Sequence, residues 1–220
     1  MTRLGEIVGP RVRAVPAGPG QVAYLQSCLE GATGYHRLTE GAPADSGAAA
    51  RLLADAEADE ARRVFLLLPR RAGPALGLLD LELHQPEPRV AHLVLLLLRE
   101  AVQGLGLGRE VVEGLKEALA AAGFFALRLS VGDENPGARE FWERVGAEPV
   151  GRLGRGVTVY ELSLSRGEGP GPRSPDPSTA AAGAGIIETR AGRPRTPSQM
   201  LRRATEPNPT WNKNGKGSDE

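Results

Sequence analysis

Gln103-Gly104-Leu105-Gly106-Leu107-Gly108-Arg109 is the most distinctive local pattern in this chain. It lies between an apolar run, Leu93-Val94-Leu95-Leu96-Leu97-Leu98, and a segment where Val111, Val112, Leu115 and Leu119 recur at helical spacing. A strand, a glycine-rich turn and a helix therefore follow one another. Three glycines in five residues let the main chain turn tightly and let a ligand approach without side-chain obstruction. The N–H groups of such a turn, and of the helical turn after it, have no intrahelical acceptor, and the helix dipole adds partial positive charge. The pattern predicts a main-chain anion site suited to a pyrophosphate. Two common phosphate loops do not fit. A Walker loop ends in Gly-Lys-Ser/Thr, whereas Gly108 is followed by Arg109 and Glu110. The dinucleotide fingerprint needs a further glycine where this chain has Arg109 or Val111, depending on which glycine pair is counted.

Outward from this loop, hydrophobic period alternates between strand and helix. Arg11 to Val15 reads as a first strand, Gln21 to Glu30 as a helix with Val22, Leu25 and Leu29 on one side, and Gly47 to Ala61 as a second helix. Val64 to Leu68 is a short buried strand. Pro74 to Leu83 and Val90 to Leu98 flank Gln85-Pro86-Glu87-Pro88-Arg89 and read as an antiparallel hairpin. The helix from Gly108 to Ala122 stops at Gly123. Then come a strand from Phe125 to Val131, a helix from Pro136 to Val145 ending at Gly146, a short strand at 148–152, and a last strand from Val157 to Leu164. This order predicts an α/β fold: a central mixed sheet flanked by helices on both faces. After Ser165 the composition shifts to Pro, Gly, Ser and Ala, with few large apolar residues. Such a segment buries too little apolar area to offset ordering its backbone. The expected organisation is a folded domain over 1–166 and a disordered tail over 167–220.

Composition narrows the function. The chain of 220 residues balances 27 basic against 27 acidic side chains, which removes the electrostatic argument for a nucleic-acid partner. The run ending at Leu98 is far shorter than the roughly 20 residues of a membrane helix. The N-terminus lacks the apolar core of a signal peptide, so a cytoplasmic protein with no membrane partner is expected. Cys28 is the only cysteine; no disulfide and no metal site are expected, and a small buried residue in a helix is.

Two motifs together carry a resemblance. Gln103, Gly106 and Gly108 fill Gln/Arg-x-x-Gly-x-Gly/Ala, which resembles the pyrophosphate loop of the GNAT acetyltransferases. Downstream, Asn135, Ala138, Trp142, Glu143 and Gly146 match that superfamily's Asn-x-x-Ala-x-x-x-aromatic-Glu-x-x-Gly segment. The resemblance spans about residues 10 to 165. It implies acetyl-CoA as cosubstrate, with Gln103, Gly104, Leu105, Gly106, Leu107, Gly108 and Arg109 around the pyrophosphate. Main-chain groups of Leu96 and Leu98 would meet the pantetheine amides. Asn135 would bond the pantetheine arm, and Phe141 and Trp142 would flank the thioester. Asn135 also suits the N-cap of the helix begun by Pro136.

The implied reaction is transfer of an acetyl group to a primary amine of a small molecule or peptide, by a monomer or homodimer. Many members carry tyrosine where this chain has Trp142, and indole is no general acid at neutral pH. Tyr160 on the last strand is the remaining candidate acid. Period-2 alternation along 77–84 groups Asp80, Glu82 and His84 on one face. A hairpin symmetric about Glu87 sets Glu82 opposite His92, a pair able to act as general base or hold the amine, with Asp80 as a substrate contact. Tyr35, His36 and Arg37, between the first two helices, lie where this superfamily commonly covers the acceptor. The missing tyrosine keeps a second reading open: a catalytically inactive acyl-CoA-binding module.

Overall fold

The computed structural model describes residues 4–39, 41–154 and 156–164. One eight-stranded mixed sheet runs in the order β1-β2-β3-β4-β5-β6-β8-β7. Its strands are β1 (Ile7–Val8), β2 (Val12–Pro16), β3 (Arg62–Pro69), β4 (Gly77–Leu83), β5 (Val90–Leu98), β6 (Ala126–Gly132), β7 (Glu148–Arg152) and β8 (Val157–Ser163). The helices are α1 (Val22–Glu30), α2 (Thr33–Thr39), α3 (Ala48–Glu57), α4 (Leu107–Ala121) and α5 (Pro136–Arg144). All pairings are antiparallel except β5 with β6, joined through α4. The proposed tail over 167–220 lies outside the described residues. Among the described residues, no helix is long and apolar enough to cross a bilayer.

Each face of the sheet has its own core. Leu107, Val111, Val112, Leu115 and Leu119 of α4 meet Phe65, Leu67, Leu79, Leu81, Leu93, Leu127 and Leu129 on one face. Leu25, Cys28 and Leu29 of α1, with Ala49 and Leu53 of α3, cover Val64, Leu66, Leu78 and Leu97 on the other. The alternation along β3, β4 and β5 is thus apolar on both sides, which explains their nearly continuous hydrophobic runs.

The structure corrects the sequence reading in four places. The strand near the N-terminus is β2, and a two-residue β1 precedes it with Ile7 opposite Ala14. Tyr35, His36 and Arg37 are not in a connection but in α2. That helix has no apolar stripe, and Gly34 sits inside it. The helix expected to reach Ala61 stops at Glu57, because Asp59 Oδ1 accepts the Ala61 N–H at 2.9 Å and turns the chain into β3. His84 lies beyond the end of β4, with positive φ, its ring 4.8 Å from that of Phe124.

Two contacts hold the centre of the sheet to the helix that follows it. A Cβ built on Gly77 would lie 1.9 Å from the Leu97 carbonyl oxygen, so β4 and β5 approach as closely as they do only because that side chain is absent. Glu110, in the first turn of α4, accepts the Val12 N–H at 2.8 Å and the Arg11 Nε–H at 2.9 Å, and also bonds the Arg11 N–H. Burial raises the Glu110 carboxyl, but those three donors and the guanidinium charge outweigh it and hold it below its ordinary value.

Gly77→Ala is expected to destabilise the domain by about 2 kcal/mol, since backbone must move to admit the methyl group; urea unfolding measures it. Glu110→Ala should cost about 2 kcal/mol at neutral pH by orphaning main-chain donors. A depressed carboxyl contributes stability that is full above its unfolded value near 4.5 and lost as the pH falls through its lower folded value. Chemical denaturation between pH 3 and 7 should therefore show a shallower acid limb for the variant than for the parent chain.

Candidate active site

The site begins with a fault in the sheet. β5 pairs with β4 along its whole length, from Leu83↔Ala91 to Gly77↔Leu98. Asp80 stands opposite Leu95 and Leu81 opposite Leu93, so Val94 is an inserted residue that makes a bulge. On its other side, β5 pairs with β6 only from Val90↔Ala126 to Leu93↔Leu129. Beyond that point β6 continues with β8 to Gly132↔Val157 while β5 goes its own way. The edge of β5 from Val94 to Leu98 thus carries main-chain groups with no partner strand among the described residues. A bulge that bends its strand away from a neighbour is the physical cause of the parting.

The glycine loop stands at the open end of this cleft. A short 3₁₀ turn, Glu100–Val102, leads from β5 into it. Gly104 and Gly106 have φ of 74° and 78°, a left-handed conformation that side chains disfavour. Gly106 is the N-cap of α4 and offers no side-chain acceptor, so the N–H groups of Leu107, Gly108 and Arg109 keep their donors outside the helix ladder. Leu107 itself packs in the core, whereas Gln103, Leu105 and Arg109 are exposed. Gln103 Nε2 donates to the Leu98 carbonyl at 2.9 Å, bracing the loop on β5. Arg11 Nη1 donates to the Leu105 carbonyl at 3.1 Å, setting a guanidinium beside the glycines. Arg11 escaped the sequence reading because nothing local links the start of β2 to a loop 94 residues later.

Helix α5 forms the opposite wall. Asn135 is its N-cap: Oδ1 accepts the Ala138 N–H at 3.0 Å, and Pro136 follows at the first helical position. Phe141 faces the loop, its ring 3.3 Å from where a Gly108 Cβ would stand, with Leu98 Cδ1 at 3.6 Å from the same point. Trp142 turns the other way into the core, 6% exposed and edge-on to Phe141 at 4.9 Å. The two aromatics thus do not share the cleft wall. Leu96 and Leu98 are partly buried against the α4 face of the sheet, beside the parted edge.

The polar residues singled out along β4 and β5 form a buried row. Glu82 is opposite His92 in register, with Oε2 3.5 Å from His92 Nδ1 and both side chains nearly inaccessible. Both His92 ring nitrogens, Nδ1 and Nε2, are buried and have no hydrogen-bond partner among the described residues. Asp80, 1% exposed, is not open to a ligand; Arg62 grips it with Nε–Oδ1 at 3.0 Å and Nη2–Oδ2 at 2.6 Å. Burial opposes the charge of both groups. The fork nonetheless leaves Arg62 raised, while the Asp80 carboxyl remains raised on balance. The two-bond geometry is that of an ion pair. Arg62 was missed in the sequence because a lone arginine at a strand start carries no signal.

Tyr160 stands elsewhere. It is 3% exposed on the α4–α5 face of β8, and its hydroxyl donates to Glu143 Oε1 at 3.1 Å. Burial, then that hydrogen bond, pushes its phenol above the ordinary range. The structure does not bring it together with Glu82 and His92, which lie on the opposite face. On α2, His36 is buried and Tyr35 half-buried with rings edge-on at 5.3 Å, while Arg37 is exposed. Burial pushes the Cys28 thiol up to about 11 despite Arg99, so it stays protonated and unreactive at neutral pH. Among the described residues, no cluster of three or more His, Cys, Asp or Glu could hold a metal ion.

Comparison with known proteins agrees with this geometry. The profile of the acetyltransferase (GNAT) family matches residues 34–147. An acetyltransferase from Thermus thermophilus superposes with a TM-score of 0.64 at 30% identity, covering 72% of this chain and 99% of that one. A probable GNAT acetyltransferase from Chromobacterium violaceum gives 0.64 at 18% identity, with 74% and 87% covered. The spermidine N-acetyltransferase from Vibrio cholerae, solved with CoA and spermine, gives 0.58 at 19%, with 70% and 95% covered. No curated protein matches significantly. A parted parallel strand pair, a glycine loop with outward amides at its mouth and the family match across residues 34–147 lead to one assignment: this chain belongs to the GNAT family of acetyltransferases.

Proposed function

We propose that the protein is an acetyl-CoA-dependent N-acetyltransferase acting on a primary amine of a small molecule or peptide. The observation that carries this reading is the uncapped first turn of α4 behind Gly106, facing out at the mouth of the β5–β6 parting. Main-chain donors there suit a diphosphate, and the dipole of a fifteen-residue helix adds to them. Arg11 and Arg109 bring positive charge to the same loop. The pantetheine arm would then lie along the free edge at Leu96 and Leu98, where its amides replace the missing strand. The amide nitrogen of Asn135 and the ring of Phe141 line the other side.

The arm's length along that edge brings the thioester to the apex of the cleft, near Leu93 and Val94. There the chemistry needs a neutral amine and a place for its proton. Attack on the thioester carbonyl forms the C–N bond, and collapse of the tetrahedral oxyanion breaks C–S. The unpaired main-chain N–H groups of β5 are suited to that oxyanion. His92, with Glu82 at its Nδ1, is the base this reading assigns, its Nε2 taking the ammonium proton directly or through water. The second N–H proton, released from the tetrahedral adduct, can reach the departing CoA thiolate through solvent, so Trp142 does not forbid the reaction. Residues Tyr35, His36 and Arg37 of α2 form the acceptor side. The spermine in the Vibrio cholerae neighbour makes polyamines a sensible first acceptor to try.

One observation favours a second reading, a module that binds an acyl-CoA and transfers nothing. Trp142 is turned into the core and Tyr160 bonds Glu143, so neither stands ready as an acid. Tight CoA binding without thiol release on any amine of a broad panel would decide for it.

Gly106→Trp is expected to abolish acetyl-CoA binding in calorimetry while circular dichroism stays native, because a side chain there both strains a left-handed residue and fills the anion cradle. Unchanged affinity would refute the loop assignment. On an acceptor found by thiol release, His92→Ala should lower kcat by about 100-fold or more and leave the KM for acetyl-CoA unmoved.

A further inference from the structure

Helix α2 is seven residues long, too short to hold itself together in water, and Ala32 before it has no side-chain acceptor for its first amides. The acceptor comes from far along the chain. Glu100 Oε1 takes the Thr33 hydroxyl at 2.8 Å and also the Gly34 N–H. A Cβ on Gly34 would sit 3.0 Å from that same oxygen, so the approach depends on its absence. The Glu100 main-chain N–H donates to Gly31 O at 2.9 Å, so the residue grips both the end of α1 and the start of α2. The Thr33 hydroxyl, then the Gly34 amide, hold its carboxyl below the ordinary range, with Arg37 adding a favourable charge.

The other end of this contact is the glycine loop. Gln103 N–H donates to the Glu100 carbonyl at 3.1 Å, and the Gln103 side chain returns to Leu98. Glu100 therefore sits in one hydrogen-bonded turn with the first residue of the loop. On the far side, α2 packs Tyr35 into the same cluster as Leu95 and Leu97, which belong to the parted half of β5. A single residue, with its carboxylate on α2 and its carbonyl on Gln103, links the segment that would receive a diphosphate to the helix beside the reacting end.

We propose that Glu100 is a positioning residue that makes α2 and the glycine loop one unit, so that coenzyme A bound at the loop orders the helix carrying Tyr35, His36 and Arg37. The inference rests on the coenzyme A reading of the loop. Binding that removes freedom from Gln103 to Gly106 removes it from Glu100 and from the two donors on α2. An acceptor that needs α2 in place then meets an already ordered partner, and the coupling is reciprocal.

Hydrogen exchange on the full chain, with and without saturating CoA, tests this without knowing the acceptor. In the parent protein CoA should slow exchange of amides 33–38 by about 10-fold. Glu100→Ala should still bind CoA and lose that slowing. Glu100→Gln, whose amide oxygen can accept the same two bonds, should restore most of it. Thr33→Val removes one donor without touching the loop segment and should give a reduced slowing, which covers the case that Glu100→Ala folds poorly. Bound CoA with no change at 33–38 in the parent chain, or full slowing in both Glu100→Ala and Thr33→Val, overturns the coupling. Absence of CoA binding to the parent chain in calorimetry sinks the loop assignment itself, and the coupling falls with it.

Discussion

The parting of β5 from β6 after the Leu93–Leu129 pair is the constraint on which the rest of the site depends. An inserted residue at Val94 changes the course of β5 while its bonds to β4 persist, and those bonds hold because Gly77 lets the Leu97 carbonyl come close. Strand β6 cannot follow, since it is held by β8 through seven paired residues. A sheet interior would not tolerate unpaired main-chain groups of this kind unless something else could meet them. An amide-bearing arm is a suitable partner, and the glycine loop is suspended at the end of that edge by Gln103 on one side and Arg11 on the other.

The charged groups on the opposite face of the sheet present a different energetic problem. Arg62, Asp80, Glu82 and His92 lie in neighbouring positions on β3, β4 and β5, each under a tenth exposed. Buried ion pairs gain little net stability over well-packed apolar residues, so their presence is poor evidence of a structural purpose. Arg62 satisfies Asp80, which flanks the bulge, through a two-bond fork, and the Glu82–His92 pair follows one pair further along the strands. The Arg128 contact to Glu161 and Glu87 closes the row on the β6 side. The His92 ring lies between Glu82 and Arg128 in register, and both of its nitrogens are buried without a hydrogen-bond partner among the described residues.

Much of this was readable from local pattern. The helical spacing of Val111, Val112, Leu115 and Leu119, the glycines before them and the Asn-Pro start of α5 each follow from rules acting within one turn or one strand. Those rules also set Glu82 against His92, because a symmetric hairpin turn determines register. The order of elements from β3 to β8, and helices on both faces, came from the same source. So did the outward amides of the loop, which are a property of any helix start that lacks a cap.

Tertiary structure decided what depends on distant partners. The bulge at Val94 is invisible in a run of leucines, because only the conflict between β4 on one edge and β6 on the other reveals the extra residue. The face of β4 that alternation made polar is buried, because α1 and α3 cover it and Arg62 neutralises part of it. Helix α2 has no stripe of its own, and the carboxylate that caps its Gly34 amide lies 66 residues away at Glu100. Trp142 and Phe141 are neighbours whose directions differ by about a third of a helical turn, and packing alone chose which of them meets the loop. Short-range periodicity is written in the chain itself. Contacts between segments are settled only when burial and hydrogen bonding are satisfied for all of them at once.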